Sequence, residues 1–273
     1  MKEISMKLSS LYSSISKFVV ACFVLGSFVQ AAEPLKLRVL CYNIHYGQGM
    51  DGVYDIERLA KVIKKAKPDL VALQEVDVGV KRSSRMHEAR MLSEMTGLAV
   101  RFGPTQHYEG GLFGNAVLTN LPITDVHIQP LPYTESTEEL TTYPRAAIAT
   151  TVTLPSGASL KFISTHFQHN VPEDRVAEAK AINQYFADDT MPAILAGDMN
   201  ARPGSEPINI LEKQWKNAID ADATFTAPAN KPRVRIDYVF SRGSQLKMLS
   251  SEVLDEPVAS DHRPVLVVFE VKK

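Results

Sequence analysis

The chain has 273 residues, 45% of them hydrophobic and 22% charged, with a formal net charge of −1. This composition excludes a disordered or fibrous protein and is sufficient for one sizeable globular domain. The near-neutral charge excludes a global basic field for capturing polyanions.

The N-terminal segment has the layout of a secretory signal peptide. Three lysines in the first 17 residues precede an uncharged apolar run from Phe18 to Val29, and small residues follow at Ala31 and Ala32. The run is shorter than the roughly 20 residues that span a bilayer. We therefore predict that residues 1–31 are removed and that the protein is secreted or periplasmic. The alternatives are an uncleaved anchor and a lipoprotein signal ending at Cys22.

Residues 32–273 read as one catalytic domain, because no repeat, low-complexity tract or linker divides them. After cleavage Cys41 is the only cysteine, so the mature chain forms no internal disulfide. We expect a monomer without a stable membrane span.

The first predicted strand covers Leu37–Asn43, and Asp55 then caps a helix that ends before Pro68. A nearly continuous apolar strand follows at Leu70–Glu75. The next helix carries its apolar stripe on Ala89, Leu92 and Met95 and is closed by Gly97.

The remainder of the chain predicts six further strands and one helix. The pair around Pro155-Ser156-Gly157 reads as an antiparallel hairpin. Hairpins mixed with strand–helix units predict two mostly antiparallel sheets packed face to face with helices outside, and a purely parallel doubly wound sheet is the alternative. The predicted strands are Asn115–Thr119, Arg145–Leu154, Leu160–His166, Ala193–Ala196, Ile236–Phe240 and Pro264–Val271, and the helix is Pro172–Phe186.

Polar residues lie where several predicted strands end. Each alone is explained by turn formation, but loops at one edge of a rigid β scaffold are where sites form, so together they predict a site. The set consists of Asn43, Glu75, His166, Asp198, Asp237, Asp261 and His262.

These residue types suit the hydrolysis of a phosphate ester, which requires a metal or cationic clamp and a positioned base. Magnesium prefers hard oxygen ligands, and the side chains of Asn43 and Glu75 provide them. Histidine transfers protons near neutrality, and Asp237 is a candidate to orient His262.

The motifs that carry these residues closely resemble the endonuclease/exonuclease/phosphatase superfamily, over essentially all of the chain after the signal. The matching segments are Cys-Tyr-Asn43-Ile, Leu-Gln-Glu75-Val, Gly-Asn115-Ala-Val-Leu, Ser-Thr-His166-Phe, Gly-Asp198-Met-Asn200-Ala, Arg-Ile-Asp237-Tyr-Val-Phe and Ser-Asp261-His262-Arg-Pro.

The resemblance implies a four-layered α/β sandwich with bound Mg²⁺, for which Mn²⁺ is a possible substitute. It implies a metal site at Asn43 and Glu75, with Asp261 as a further carboxylate. It implies that Asp198 activates the attacking water and that Asn200 contacts the phosphate. It also implies that Asp237 and His262 pair at the phosphate. His166 would then stabilise the transition state or protonate the leaving group.

Three segments resemble exported bacterial members and the hydrolase-like domain of lipid-anchor remodelling proteins. These are Asp77 with Arg82, the Gly110–Asn115 segment and Tyr143-Pro144-Arg145. Arg145 and Arg82 are candidate bidentate donors to the substrate phosphate, and Asn115 is a further candidate for substrate binding.

The sequence therefore predicts a magnesium-dependent phosphodiesterase or phosphomonoesterase, with phospholipid headgroups and sugar phosphates as candidate substrates. A secreted nonspecific nuclease is the second reading, although no Lys/Arg-rich insertion for binding duplex DNA is evident. A noncatalytic binding domain on the same scaffold is the third. The complete set of site residues argues against it.

Overall fold

The computed structural model describes residues 34–187, 190–218 and 225–272. They belong to one compact unit that begins at Pro34. The predicted signal segment, residues 1–31, lies outside the described residues. None of the helices in the described ranges has the length and apolar character to cross a membrane.

The described chain contains twelve strands and four helices, together with a short 3-10 turn at His45–Gly47. In chain order they are β1 Leu35–Asn43, α1 Ile56–Ala66, β2 Leu70–Val78, α2 Glu88–Thr96, β3 Ala99–Tyr108, β4 Gly111–Thr119, β5 Ile123–Pro130, β6 Ala146–Thr153, β7 Ser159–His166, α3 Pro172–Phe186, β8 Ala193–Asp198, α4 Glu206–Glu212, β9 Lys216–Asn217, β10 Asp237–Arg242, β11 Leu246–Val253 and β12 Val265–Val271.

The strands form two sheets of six. One has the order β11-β12-β1-β2-β4-β3 and the other β5-β6-β7-β8-β10-β9. Each sheet contains one parallel pair, β1 with β2 and β7 with β8, and its other pairs are antiparallel. The parallel pairs are those joined through a helix, since a parallel crossover needs a long connection. This confirms two mostly antiparallel sheets, and the purely parallel alternative is wrong.

Three apolar clusters give the domain its four layers. The central cluster joins the inner faces of the two sheets and includes Val39, Phe162 and Phe269. A second cluster packs α1 and α2 on one sheet, and a third packs α3 and α4 on the other. The order helix, sheet, sheet, helix is the predicted four-layered α/β sandwich.

The predicted helix boundaries are confirmed. Asp55 caps α1 by accepting a hydrogen bond from the Arg58 backbone nitrogen at 2.9 Å, and Gly97 ends α2 with a φ of 76°. The strand predicted to end at Glu75 continues to Val78. Four strands and one helix were not predicted, namely β3, β5, β9, β11 and α4.

Candidate active site

The candidate site lies where the ends of strands from both sheets meet. Strand register places His166 opposite Asp198 on one side and Asp237 opposite Asp198 on the other. Asn43, at the end of β1 in the other sheet, reaches across and donates from Nδ2 to Asp198 Oδ2 at 3.2 Å. The fold therefore brings together four polar residues predicted separately from strand ends.

A cleft of about 300 Å³ opens over these strand ends. Eight of the predicted site residues line it: Glu75, Arg82, Arg145, His166, Asp198, Asn200, Asp261 and His262. Asn43 and Asp237 are fully buried and contact lining residues through hydrogen bonds.

Asp198 occupies the centre of the polar network. Its Oδ1 accepts from the Asn200 backbone nitrogen at 2.8 Å, and its Oδ2 lies 3.5 Å from His166 Nε2 and 3.7 Å from His262 Nε2. Burial and the neighbouring charge of Asp237 hold the pKa of the Asp198 carboxyl well above its usual range. The carboxyl group is therefore placed to exchange a proton near neutral pH.

Asp237 and His262 form a buried hydrogen-bonded pair, with Asp237 Oδ2 2.9 Å from His262 Nδ1. Burial alone would lower the pKa of His262, but the charges of Asp237 and Asp198 outweigh it and raise this pKa well above its usual value. His262 is therefore positively charged, and its other ring nitrogen, Nε2, faces Asp198 in the cleft.

His166 differs from His262 in its charge. Burial and the positive charge of Arg145 hold the pKa of His166 well below its usual range, so the ring is neutral. Two donors face its ring nitrogens: Arg145 Nη1 lies 3.1 Å from His166 Nδ1, and Asn200 Nδ2 lies 3.0 Å from His166 Nε2. Asn200 Nδ2 also donates to Phe167 O at 2.9 Å.

Backbone strain accompanies two of these side chains. Glu75 has a φ of 57° at an irregularity in the pairing of β2 with β4, and Asn200 has a φ of 46°. The left-handed region disfavours non-glycine residues, and such conformations cluster at functional sites. The irregularity interrupts the strand at the residue whose carboxylate enters the cleft.

The residues present fit a divalent metal ion. Glu75 and Asp261 supply hard carboxylate oxygens to the cleft. Asp198, Asp237 and His262 offer ligand atoms within 4.8 Å of one another, and the two carboxylates of this group can bind a cation while His262 is protonated. The buried Asp237 Oδ1 has no hydrogen-bond partner in the described ranges. Asn43 turns its amide nitrogen toward Glu75 Oε1 at 3.0 Å while its oxygen accepts from the His45 backbone nitrogen.

The three predicted substrate-binding residues differ in position. Arg145 is buried and Arg82 partly exposed, and both line the cleft. Asn115 does not line it. Its amide donates to Ala146 O at 2.9 Å, which links β4 to the residue after Arg145.

Six residues that line the cleft were not predicted from the sequence as site residues. They are His45, Gln106, Tyr108, Phe113, Tyr143 and His169. Gln106 and Tyr108 lie on β3, a strand that was not predicted, so no sequence signal indicated their position. Tyr143 was noted only as part of the Arg145 segment, and that motif was the one signal that could have identified it.

The strand-end site on a four-layered sandwich defines a class of phosphate-ester hydrolases, and sequence comparison identifies the family. The model of the Endonuclease/Exonuclease/phosphatase family matches residues 40–262. The chain therefore belongs to this family and is a hydrolase acting on phosphate esters. No curated protein matches the sequence in a direct search.

Solved structures similar to this chain share its fold. A family protein from Bacteroides thetaiotaomicron is 17% identical with a TM-score of 0.73, covering 88% of this chain and 100% of that one. The mannosyl-6-phosphatase Bt3783 of the same organism is 18% identical with a TM-score of 0.69, covering 85% and 98%. The human Nocturnin catalytic domain is 21% identical with a TM-score of 0.68, covering 88% and 94%.

Proposed function

We propose that the protein is a divalent-metal-dependent phosphodiesterase or phosphomonoesterase of small substrates, with phospholipid headgroups and sugar phosphates as candidates, and that it acts after export. The observation that carries the proposal is the convergence of Asp198, His262, His166 and Glu75 at one cleft. Such convergence supports catalysis over noncatalytic binding, because a binding site alone does not require one neutral and one positively charged histidine.

Hydrolysis forms a P–O bond to water and breaks the P–O bond of the ester. Asp198 would orient the attacking water and accept its proton, which its raised pKa favours. Charged His262 would contact a phosphate oxygen, held in its working orientation by Asp237. Neutral His166 would stabilise transition-state charge rather than protonate the leaving oxygen, which would take its proton from water.

Arg145 and Asn200 would bind phosphate oxygens beside His166. Asn115 would act by positioning Ala146 next to Arg145 rather than by touching substrate. Glu75 and Asp261 would hold Mg²⁺, with Mn²⁺ as a substitute, and Asn43 would join them if its amide rotated. When bound, the metal supplies Lewis-acid charge stabilisation at the phosphate.

Secreted nuclease activity is the competing function, and a substrate screen separates the two. The purified mature chain is assayed with Mg²⁺ on plasmid DNA, RNA, sphingomyelin, phosphatidylinositol, sugar phosphates and an aryl phosphodiester. Hydrolysis of the small esters with no nucleic-acid cleavage is the expected result. The reverse pattern would establish the nuclease, and inactivity on every class without metal binding by calorimetry would establish a noncatalytic domain.

The metal site is tested by Glu75→Gln, which removes one formal charge with little change in volume. We expect the Mg²⁺ concentration for half-maximal activity to rise about tenfold or more, because hard cations depend on carboxylate charge. Glu94→Gln is the matched control, since Glu94 lies on the exposed face of α2. Unchanged metal dependence at an unchanged melting temperature would remove Glu75 from the ligand set.

A further inference from the structure

Five residues that line the cleft differ in chemistry from those assigned to hydrolysis. They are Arg82, Gln106, Tyr108, Tyr143 and His169, which we call the outer subsite. These residues combine aromatic rings with hydrogen-bonding side chains. None of them is needed for the hydrolytic step described above.

Arg82 is held rigidly at this subsite. Its Nε and Nη2 donate to the two oxygens of buried Asp77 at 2.9 and 3.0 Å. Its guanidinium carbon lies 3.8 Å from the ring centroid of Tyr46 and 4.6 Å from that of Tyr108. The third nitrogen, Nη1, has no hydrogen bond within the described part of the chain, so one donor of fixed orientation remains for a ligand.

The outer subsite has little net positive charge with which to bind a second phosphate. Asp77 neutralises the Arg82 guanidinium through the two-pronged pair. Burial and the charge of Arg145 lower the pKa of His169, which is therefore neutral. Gln106 is uncharged, and its side-chain amide makes no hydrogen bond within the described ranges. Because polynucleotide binding requires a cation for successive phosphates, this lining disfavours nucleic acid.

Tyr143 and His169 are also preorganised. Tyr143 stacks on His169 with ring centroids 5.6 Å apart, and Gln168 Nε2 donates to Tyr143 O at 3.2 Å. Flat faces with neutral donors and acceptors suit a ring that has apolar C–H faces and hydroxyl groups at its edge. A cleft of about 300 Å³ is at the small end of ligand sites, which suits one phosphate and one ring.

We infer that the outer subsite binds the leaving group of the ester and selects an uncharged hydroxylated ring, with Arg82 and Gln106 as donors to its hydroxyl groups. The inference rests on the proposed function, since the subsite matters for turnover only if the cleft hydrolyses phosphate esters. The same ring chemistry occurs in a free sugar phosphate and in an inositol lipid headgroup.

The test compares kcat/KM for glucose 6-phosphate, myo-inositol 1-phosphate, ethyl phosphate and fructose 1,6-bisphosphate, with phosphatidylinositol vesicles as the lipid arm. We expect kcat/KM for the two ring monophosphates to exceed that for ethyl phosphate at least about tenfold, because one hydrogen bond to a charged donor contributes about that factor. Preference for the vesicles over glucose 6-phosphate would identify the lipid as the source of the ring.

Two variants assign the preference to the subsite. Arg82→Lys keeps the positive charge but loses the planar guanidinium. Gln106→Ala alters a partly exposed side chain on an edge strand, where folding is little affected. In both, the ratio of kcat/KM for glucose 6-phosphate to that for ethyl phosphate should fall about tenfold. Arg85→Lys is the matched control, because Arg85 lies three residues away and is exposed.

Equal kcat/KM for ring and ringless esters, a preference for the bisphosphate, or an unchanged ratio in both variants would overturn the inference. Metal-dependent hydrolysis of ethyl phosphate would still support the proposed function in each of those cases. Inactivity toward every ester would overturn both.

Discussion

At the scale of single residues, the Asp237–His262 pair is the contact whose function is most sharply testable. Both residues are buried and share a 2.9 Å hydrogen bond, so removing either disables the same unit. We expect His262→Ala to lower turnover at least about a hundredfold, and Asp237→Asn to account for a large part of that loss. The double variant should be little worse than His262→Ala.

The double-mutant cycle on turnover discriminates between two roles for Asp237. If it only shaped a turn, asparagine would serve equally well and Asp237→Asn would be mild. Independent, multiplicative losses would contradict the pair even if each residue proved important. Circular dichroism of each variant controls for unfolding.

At the scale of secondary-structure elements, the N-cap of α1 is a local signal with a measurable energy. Asp55 accepts from Arg58 N at 2.9 Å, which satisfies a backbone donor that the helix leaves free. We expect Asp55→Ala to lower the free energy of unfolding by about 1 kcal/mol, measured by urea denaturation, and Asp55→Asn to retain most of it. Equal losses from both changes would show that the side-chain oxygen is not the stabilising group.

Strand position within a sheet explains which elements the sequence predicts. The missed strands β3, β5, β9 and β11 are the four edges of the two sheets. Edge strands have exposed residues on several sides, so they lack apolar runs; β5, for example, has no buried residue. Interior strands such as β4 and β8 are almost entirely buried and produce the apolar runs that identify them.

At the scale of the whole molecule, two buried glutamates should make stability depend on pH. Burial raises the pKa of Glu88 and of Glu178 to about 8, above the value of about 4.3 for an unfolded chain. Between those values the folded state binds more protons than the unfolded state, so stability decreases as the pH rises. The contribution is fully present below about pH 4 and is lost by about pH 8.

Replacing both residues by glutamine should flatten this dependence. We expect Glu88→Gln/Glu178→Gln to raise the melting temperature at pH 8 relative to wild type by at least about 2–4 °C, equivalent to about 1 kcal/mol. The gain at pH 5 should be smaller. A wild-type melting temperature that does not fall between pH 5 and pH 8 would show that these carboxyl groups are not protonated in the folded state.

Export is a prediction about the whole chain. The short apolar run before Ala31 predicts a mature protein that begins at Ala32. Mass spectrometry of the protein from its native cells measures the N-terminus directly. A chain that begins at Met1 or Met6 would contradict cleavage, and a lipid on Cys22 would establish anchoring instead.

The sequence by itself determined the interior strands, three of the helices and the strand-end residues, because buried apolar runs, caps and terminal polar groups are local signals. Only the tertiary structure decided which distant residues meet. Asn43 and Asp198 are 155 positions apart yet share a hydrogen bond between sheets. The cleft likewise combines Tyr108 of an edge strand with Tyr143 of a loop. Such proximity arises from sheet order and layer packing. The sequence of one segment does not indicate which distant segment it will pack against.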